Sequence, residues 1–142
     1  MSFINSSLKL SMIFACGTWG SIAMAQDVIM TINDTKYVVT VDENTAAGKL
    51  FLEVLPLSLN FENFGSNERI AYLPHKLDMN SYEEPISVKR GGMTYYVPWG
   101  NLAVFRKSFS CSADLAPLGA MSEEAISALE KSGSADVSFK LK

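Results

Sequence analysis

The sequence predicts a mainly β domain with two helices, arranged as a closed and mostly antiparallel β-barrel. Seven or eight short segments alternate apolar and polar residues with a period of two, which is typical of strands. Two further segments carry the capping residues and apolar spacing of helices. The chain has 142 residues, which allows one domain of this kind. No internal repeat or low-complexity stretch is present.

The first two strands, at 28–32 and 37–41, are predicted to form a hairpin. Asn33, Asp34 and Thr35 lie between them, and such residues tolerate the left-handed backbone of tight turns. Residues 102–105 are apolar at every position, which predicts a strand covered on both faces. The other strands are predicted at 57–61, 69–73, 93–97, 101–107, 136–141 and near 115–118.

The two helices are predicted at about 45–55 and from Ser122 to Lys131. Asn44 or Asp42 caps the first, and Pro56 ends it. In the second, Ser122 is the N-cap, two glutamates occupy the first turn, and Gly133 follows the last turn. Because the helix dipole favours carboxylates at this end, the two glutamates do not indicate a catalytic pair.

The N-terminal segment, residues 1–25, is predicted to be a signal peptide. An apolar run reaches Ile22, and the small-x-small pattern Ala23-Met24-Ala25 follows it. Cleavage after Ala25 would send a mature domain, residues 26–142, to the periplasm or the exterior, without a membrane span. An alternative is lipidation at Cys16, because the preceding Ile13-Phe14-Ala15 partly resembles a lipobox.

Composition and motif content exclude several functions. A formal net charge of −3 argues against a nucleic-acid partner. The mature segment has one histidine, His75, and one cysteine, Cys111, and they are far apart in the sequence. A zinc site needs three or four convergent ligands, so we predict no metal, no cofactor and no catalytic residue. The long irregular segment 74–92 is predicted to flank a barrel mouth.

The most unusual stretch is the strand–turn–strand corner at 94–101. Trp99 lies between Pro98 and Gly100, and it either plugs one end of the core or forms the floor of a ligand groove. The groove hypothesis predicts a binding site for a small molecule or peptide. We expect Tyr72, Tyr95 and Trp99 to line that site, and Arg69 and Asn101 to be its polar anchors.

These residues also carry a family resemblance. The stretches 67–74 and 93–105, which include Tyr95-Tyr96-Val97-Pro98-Trp99-Gly100-Asn101, resemble the small bacterial cyclophilin-like domain proteins. The resemblance covers 27–132 and implies a cyclophilin-like closed β-barrel with two helices. Where those relatives tend to have Gly-Tyr-Ser-x-Gly, this chain has 110–114 as Ser-Cys-Ser-Ala-Asp.

Cyclophilins proper catalyse prolyl isomerisation with an arginine beside an apolar proline pocket. Their Phe-His-Arg and Gln-Phe-Phe stretches are not matched here, and Arg69, Arg90 and Arg106 do not lie in such a setting. The sequence therefore favours a binding module, with peptidyl-prolyl isomerase as the alternative. A third hypothesis is an envelope protein that binds a partner through 74–92.

Overall fold

The computed structural model describes residues 25–142. Eleven strands and two helices make up this part of the chain, and they are numbered here in chain order. They are β1 (Ala25–Ile32), β2 (Thr35–Asp42), α1 (Ala46–Glu53), β3 (Leu57–Asn60), β4 (Glu62–Phe64), β5 (Glu68–Tyr72), β6 (Ile86–Val88), β7 (Gly92–Tyr96), β8 (Asn101–Phe105), β9 (Phe109–Cys111), β10 (Leu115–Ala120), α2 (Glu123–Lys131) and β11 (Asp136–Leu141).

The predicted signal peptide lies almost entirely outside the described residues, and so does Cys16. Its last residue, Ala25, is the first residue of β1 and pairs with Asp42 of β2. Cleavage after Ala25 stays a prediction; it would leave β1 one residue shorter. No helix in the described range 25–142 has the length and apolar character needed to span a membrane.

One antiparallel sheet of nine strands forms the body of the protein. Its strand order is β3-β11-β1-β2-β10-β7-β8-β5-β4. The two edge strands, β3 and β4, are consecutive in the chain and are separated only by Phe61. The sheet therefore curls back toward its own first edge and forms a nearly closed barrel, which confirms the predicted fold class.

The predicted hairpin is confirmed. β1 and β2 pair antiparallel over their whole length, from Ala25 opposite Asp42 to Ile32 opposite Thr35. The turn residues Asn33 and Asp34 have φ values of 48° and 68°. Two consecutive residues with positive φ make the tight turn whose twist matches that of the strands.

Strand β8 separates two apolar clusters, as its continuous apolar pattern predicted. All five of its residues are buried. Leu102 and Val104 point into the main core of the barrel. Ala103 and Phe105 belong to a second cluster on the outer face of the sheet. An ordinary barrel strand would leave this outer face to solvent.

A short two-stranded ribbon covers part of that outer face. Strands β6 and β9 pair from Phe109 opposite Val88 to Cys111 opposite Ile86. The side chains of these four residues pack on the second cluster. The prediction that 74–92 is wholly irregular was therefore wrong at β6, and β9 was missed. Each strand has only three residues, which is too short for a period-two pattern to be visible.

The two helices lie where the sequence predicted them, with one correction at a cap. Thr45, and neither Asn44 nor Asp42, is the N-cap of α1, and its hydroxyl accepts a hydrogen bond from the Gly48 amide at 3.0 Å. The Asp42 carboxylate instead accepts a hydrogen bond of 2.9 Å from the backbone N–H of Asn44 and shapes the turn before the helix. Ser122 caps α2, as predicted.

Helix α2 is fastened to the sheet by an ion-pair network. Arg90 bonds to Glu123 at 2.8 Å and to Glu130 at 2.7 Å, and Arg106 bonds to the same Glu130 at 3.0 Å. Hydrogen bonds from Arg90 and then from Arg106 lower the pKa of Glu130 from its ordinary value of 4.5 to about 2. The carboxylate is therefore stabilised in the folded protein.

This network predicts a defined loss of stability in acid. Because the folded pKa of Glu130 is depressed, its contribution is complete above pH 4.5 and is lost as the pH falls toward about 2. We expect Glu130→Gln to remove about 1 kcal/mol of this pH-dependent stability, a value reduced for solvent screening. Urea unfolding between pH 6 and pH 2.5 measures it. The control Glu124→Gln, at an exposed position of the same helix, should keep the wild-type profile; an identical profile for both variants would contradict the prediction.

Candidate functional site

A pocket of about 250 Å³ lies between the outer face of the sheet and the β6–β9 ribbon. Five of its ten lining side chains are aromatic, and the wall also contains one carboxylate and one amide. For comparison, an apolar cavity of about 150 Å³ suffices to bind benzene. The lining residues are Phe64, Glu68, Ile70, Tyr96, Trp99, Asn101, Phe105, Phe109, Cys111 and Leu115.

Strand register brings these side chains together in rows. Glu68 of β5 lies between Phe64 of β4 and Phe105 of β8, since it is paired with both. At the other end of β8 from Phe105, Asn101 is paired with Tyr96 of β7. Directly paired residues project from the same face of a sheet, with Cβ atoms about 5 Å apart. Both rows therefore face the pocket.

Trp99 forms one side of the pocket mouth. Its turn is closed by a hydrogen bond of 3.0 Å from the Gly100 amide to the Tyr96 carbonyl. Gly100 has a φ of 74°, which suits glycine. The indole makes edge contacts with the rings of Phe64 and Tyr96, at centroid distances of 5.7 and 5.6 Å. Trp99 is 47% exposed, so it does not plug the core.

The Asn101 side chain presents an unsatisfied acceptor. Asn101 is 2% exposed, and its Nδ2 donates to the Leu102 carbonyl at 2.9 Å. Its Oδ1 is buried and has no hydrogen-bond partner in the described part of the chain. Turning the amide over would place Oδ1 against a carbonyl, so the orientation is fixed. A buried acceptor without a partner costs about 1–3 kcal/mol, and this one belongs to a side chain that lines the pocket.

The Glu68 carboxylate is the one charged group of the wall. Within residues 25–142 it has no hydrogen bond and no ion pair. Its side chain is half-buried between two phenylalanines. Burial raises the pKa of Glu68 above its ordinary value of 4.5, because an apolar setting disfavours the charged form.

The five side chains predicted for the site lie on two different faces of the sheet. Trp99 and Asn101 line the pocket. Tyr72 is paired with Asn101 and is 50% exposed, so it lies beside the pocket on the same outer face without lining it. Arg69 and Tyr95 project to the inner face and are outside the pocket. The groove expected from the sequence is therefore only partly assembled.

Arg69 joins helix α2 to the edge of the sheet. It is 2% exposed, and its Nε donates to the Leu129 carbonyl at 3.1 Å. Its other nitrogens donate to Ser132 and Gly133 just after α2, and to Asn63 of β4. Burial, and then the nearby Arg106, lowers the pKa of Arg69. All three guanidinium nitrogens are thus bonded within the protein, and they do not reach the pocket.

Tyr95 is a core residue. It is fully buried, and its hydroxyl accepts a hydrogen bond from the Leu77 amide at 2.9 Å. Leu77 lies in the segment that follows β5, so this bond fixes that segment against the barrel interior. The neighbouring Tyr96 occupies the pocket position that the sequence analysis gave to Tyr95.

Sequence reasoning missed six of the lining aromatic and polar side chains. Period-two spacing along β8 from Asn101 would have identified Phe105 as a residue on the same face. The same spacing from Trp99 identifies no lining residue, because Trp99 lies in a turn, where the alternation is interrupted. Glu68 could have been found from its spacing to Tyr72 on the same strand. The missed residues are Phe64, Glu68, Tyr96, Phe105, Phe109 and Cys111.

Cys111 and His75, the one cysteine and the one histidine of the predicted mature segment, are not arranged for nucleophilic chemistry. The Cys111 thiol is half-buried in the pocket wall and donates to the Ala113 carbonyl at 3.2 Å. His75 is exposed and does not line the pocket. Among residues 25–142, no group of three or more His, Cys, Asp or Glu side chains is placed to hold a metal ion.

The fold is that of a small, nearly closed β-barrel with two helices, and the pocket lies on the outer face of its sheet. A family model described as the cyclophilin-like family matches residues 30–140, so the chain belongs to that family. The resemblance noted from the sequence is thereby confirmed.

Among solved structures, the chain is similar to the solution structure of the hypothetical protein AF2241 from Archaeoglobus fulgidus. The TM-score is 0.60 at 10% identity, and the match covers 84% of this chain and 96% of that one. At this identity the likeness shows the fold alone. A search of curated proteins gives no match.

The environment of Arg69 predicts a structural role. Arg69→Met keeps the aliphatic bulk but removes every hydrogen bond to α2 and β4, so we expect it to lower the free energy of unfolding by about 2–4 kcal/mol. Urea unfolding followed by circular dichroism measures the change. Lys89→Met, at an exposed position, removes a cation without buried bonds and should cost less than about 0.5 kcal/mol. A loss below about 1 kcal/mol for Arg69→Met would show that these bonds are dispensable.

Proposed function

We propose that this protein is an exported binding module that holds a small ligand, or one side chain of a peptide, in the outer-face pocket. The observation that carries the proposal is a concave pocket whose wall holds five aromatic side chains together with Glu68 and Asn101, the latter with a buried Oδ1 that has no partner in the described residues. Ligand sites are typically concave and mostly apolar, with a few polar groups that fix orientation. This pocket has that composition, and the sheet beneath it is held by β8, which is buried on both faces.

Binding is favoured over isomerisation by the position of the arginines. A cyclophilin-type mechanism needs a guanidinium beside the proline pocket, and no lining residue of this pocket is an arginine. Arg69 is bonded to α2, and Arg90 and Arg106 are paired with its glutamates. The chemistry that the pocket supports is therefore recognition through ring faces and hydrogen-bond acceptors.

Export is supported by the apolar N-terminal run and the small-x-small pattern before Gln26. We expect the protein recovered from the cell envelope or medium of its host to begin at Gln26, because a signal peptidase would cut after Ala25. Intact-mass measurement checks this. A chain that begins at a lipid-modified Cys16 would favour the lipoprotein alternative, and an unprocessed chain recovered only from the cytosol would contradict export.

The pocket predicts saturable binding of small aromatic molecules. In full-length protein carrying Trp19→Phe, which leaves Trp99 as the sole tryptophan, 2-phenylethanol should change the fluorescence of Trp99 with a Kd of about 1 mM, or roughly −4 kcal/mol. Cys111→Phe places a ring in the pocket and should weaken this binding at least about tenfold, since an occupied cavity offers no space.

The matched control adds the same ring elsewhere. Val38 is 45% exposed on β2, away from the pocket, and Val38→Phe should leave the titration unchanged. Urea unfolding of both variants verifies that they are folded. Equal binding by Cys111→Phe and wild type would place the probe outside the pocket, and absence of any saturable response would contradict the proposed function.

A further inference from the structure

The polar groups in the pocket wall determine which ligand charge the pocket favours. Glu68 contributes a carboxylate and Asn101 an amide oxygen, and both are acceptors without a partner in the described residues. The wall contains no lysine, arginine or histidine. A ligand that carries donors and positive charge therefore complements these two acceptors, whereas an anion would meet the Glu68 carboxylate and no cationic side chain in the wall.

The aromatic side chains also favour a positively charged ligand. Five rings line the pocket, and the face of an aromatic ring is electron-rich, so it attracts a cation placed over it. Phe105 and Phe109 are stacked at a centroid distance of 5.1 Å, and Trp99 stands edge-on to Phe64 and Tyr96. Rings also flank Glu68 on both sides, since Phe64 and Phe105 are its direct partners across the strands.

The cations near the pocket are engaged elsewhere. Arg69 is bonded to the end of α2, and Arg106 is paired with Glu130 at 3.0 Å. Lys76 lies against the Trp99 turn, where its Nζ donates to the Pro98 carbonyl at 3.3 Å. None of the three lines the pocket. The charge of Glu68 is thus left without a protein counter-ion in an apolar setting, an arrangement that a bound cation would stabilise.

We infer that the pocket binds an organic ammonium ion, in which an apolar group packs against the rings and the protonated amine pairs with the Glu68 carboxylate. This inference rests on the proposed function and specifies its ligand class. Asn101 lies four residues along β8 from Phe105, the strand partner of Glu68, which corresponds to about 13 Å. A ligand long enough to span that spacing makes its second polar contact at the Asn101 side chain.

Three probes of similar size separate charge from shape. They are 2-phenylethylamine as the cation, 2-phenylethanol as the neutral analogue and 3-phenylpropionate as the anion, each titrated into the full-length Trp19→Phe protein while Trp99 fluorescence is followed. We expect the amine to bind about tenfold more tightly than the alcohol, and the anion to bind most weakly. Raising NaCl from about 20 to about 500 mM should weaken binding of the amine and leave the alcohol unaffected.

Glu68→Gln keeps the size of the side chain and removes its charge. It should remove most of the preference for the amine over the alcohol, leaving the part due to the rings, while the affinity for the alcohol changes less than about twofold. Glu62→Gln is the matched control, because Glu62 is an exposed carboxylate of the neighbouring strand that does not line the pocket; it should change the affinity for the amine less than about twofold. Urea unfolding checks the fold of both variants, and the salt titration of the unsubstituted pocket provides a readout that does not depend on them.

The outcomes distinguish this inference from the proposed function. If the amine and the alcohol bind equally, or the anion binds most tightly, the cation inference is overturned and a ligand pocket remains. The cation inference is also overturned if Glu62→Gln and Glu68→Gln weaken the amine to the same extent, because the effect is then a general surface potential. If none of the three probes gives a saturable response, the proposed function fails as well.

Discussion

The architecture depends on the burial of strand β8 on both of its faces. Leu102 and Val104 belong to the barrel core, and Ala103 and Phe105 belong to the cluster on the opposite side. An apolar outer face needs a cover, and the β6–β9 ribbon supplies one over only part of its area. The pocket lies where that cover ends. The pocket therefore results from incomplete covering of an apolar sheet face by the ribbon.

Local signals were sufficient for most of the fold. The Asn33-Asp34 turn and the Ser122 cap each depend on residues within a few positions of one another, and both were predicted correctly. The ribbon was not predicted, because its two strands are short and each is stabilised by a partner more than twenty positions away. Arg69 illustrates the same limit more sharply. Its partners on α2 lie 60 and more positions later in the chain, and no nearby residue indicates them.

Of the five side chains predicted for the candidate site, Trp99 and Asn101 line the pocket. The strand–turn–strand corner that contains Trp99 and Asn101 was recognised in the sequence, because Pro98 and Gly100 indicate a turn between two apolar strands. The assignment of Tyr95 in place of Tyr96 shows what was lacking. Adjacent residues of a strand face opposite sides, and only the pairing of Tyr96 with Asn101, and of Tyr95 with Leu102, decides which one turns outward.

The seam of the barrel gives the pocket a physical connection to the helix. Strand β4 is an edge strand of three residues, and two of them have different partners. Phe64 lines the pocket, whereas Asn63 accepts a hydrogen bond from Arg69, which also bonds to the end of α2. Whatever fills the pocket thus contacts the same short strand that helps to fasten the helix to the sheet. By thermodynamic linkage, a ligand that binds this pocket as proposed would disfavour opening of the β4 edge, because Phe64 of that strand forms part of the pocket wall.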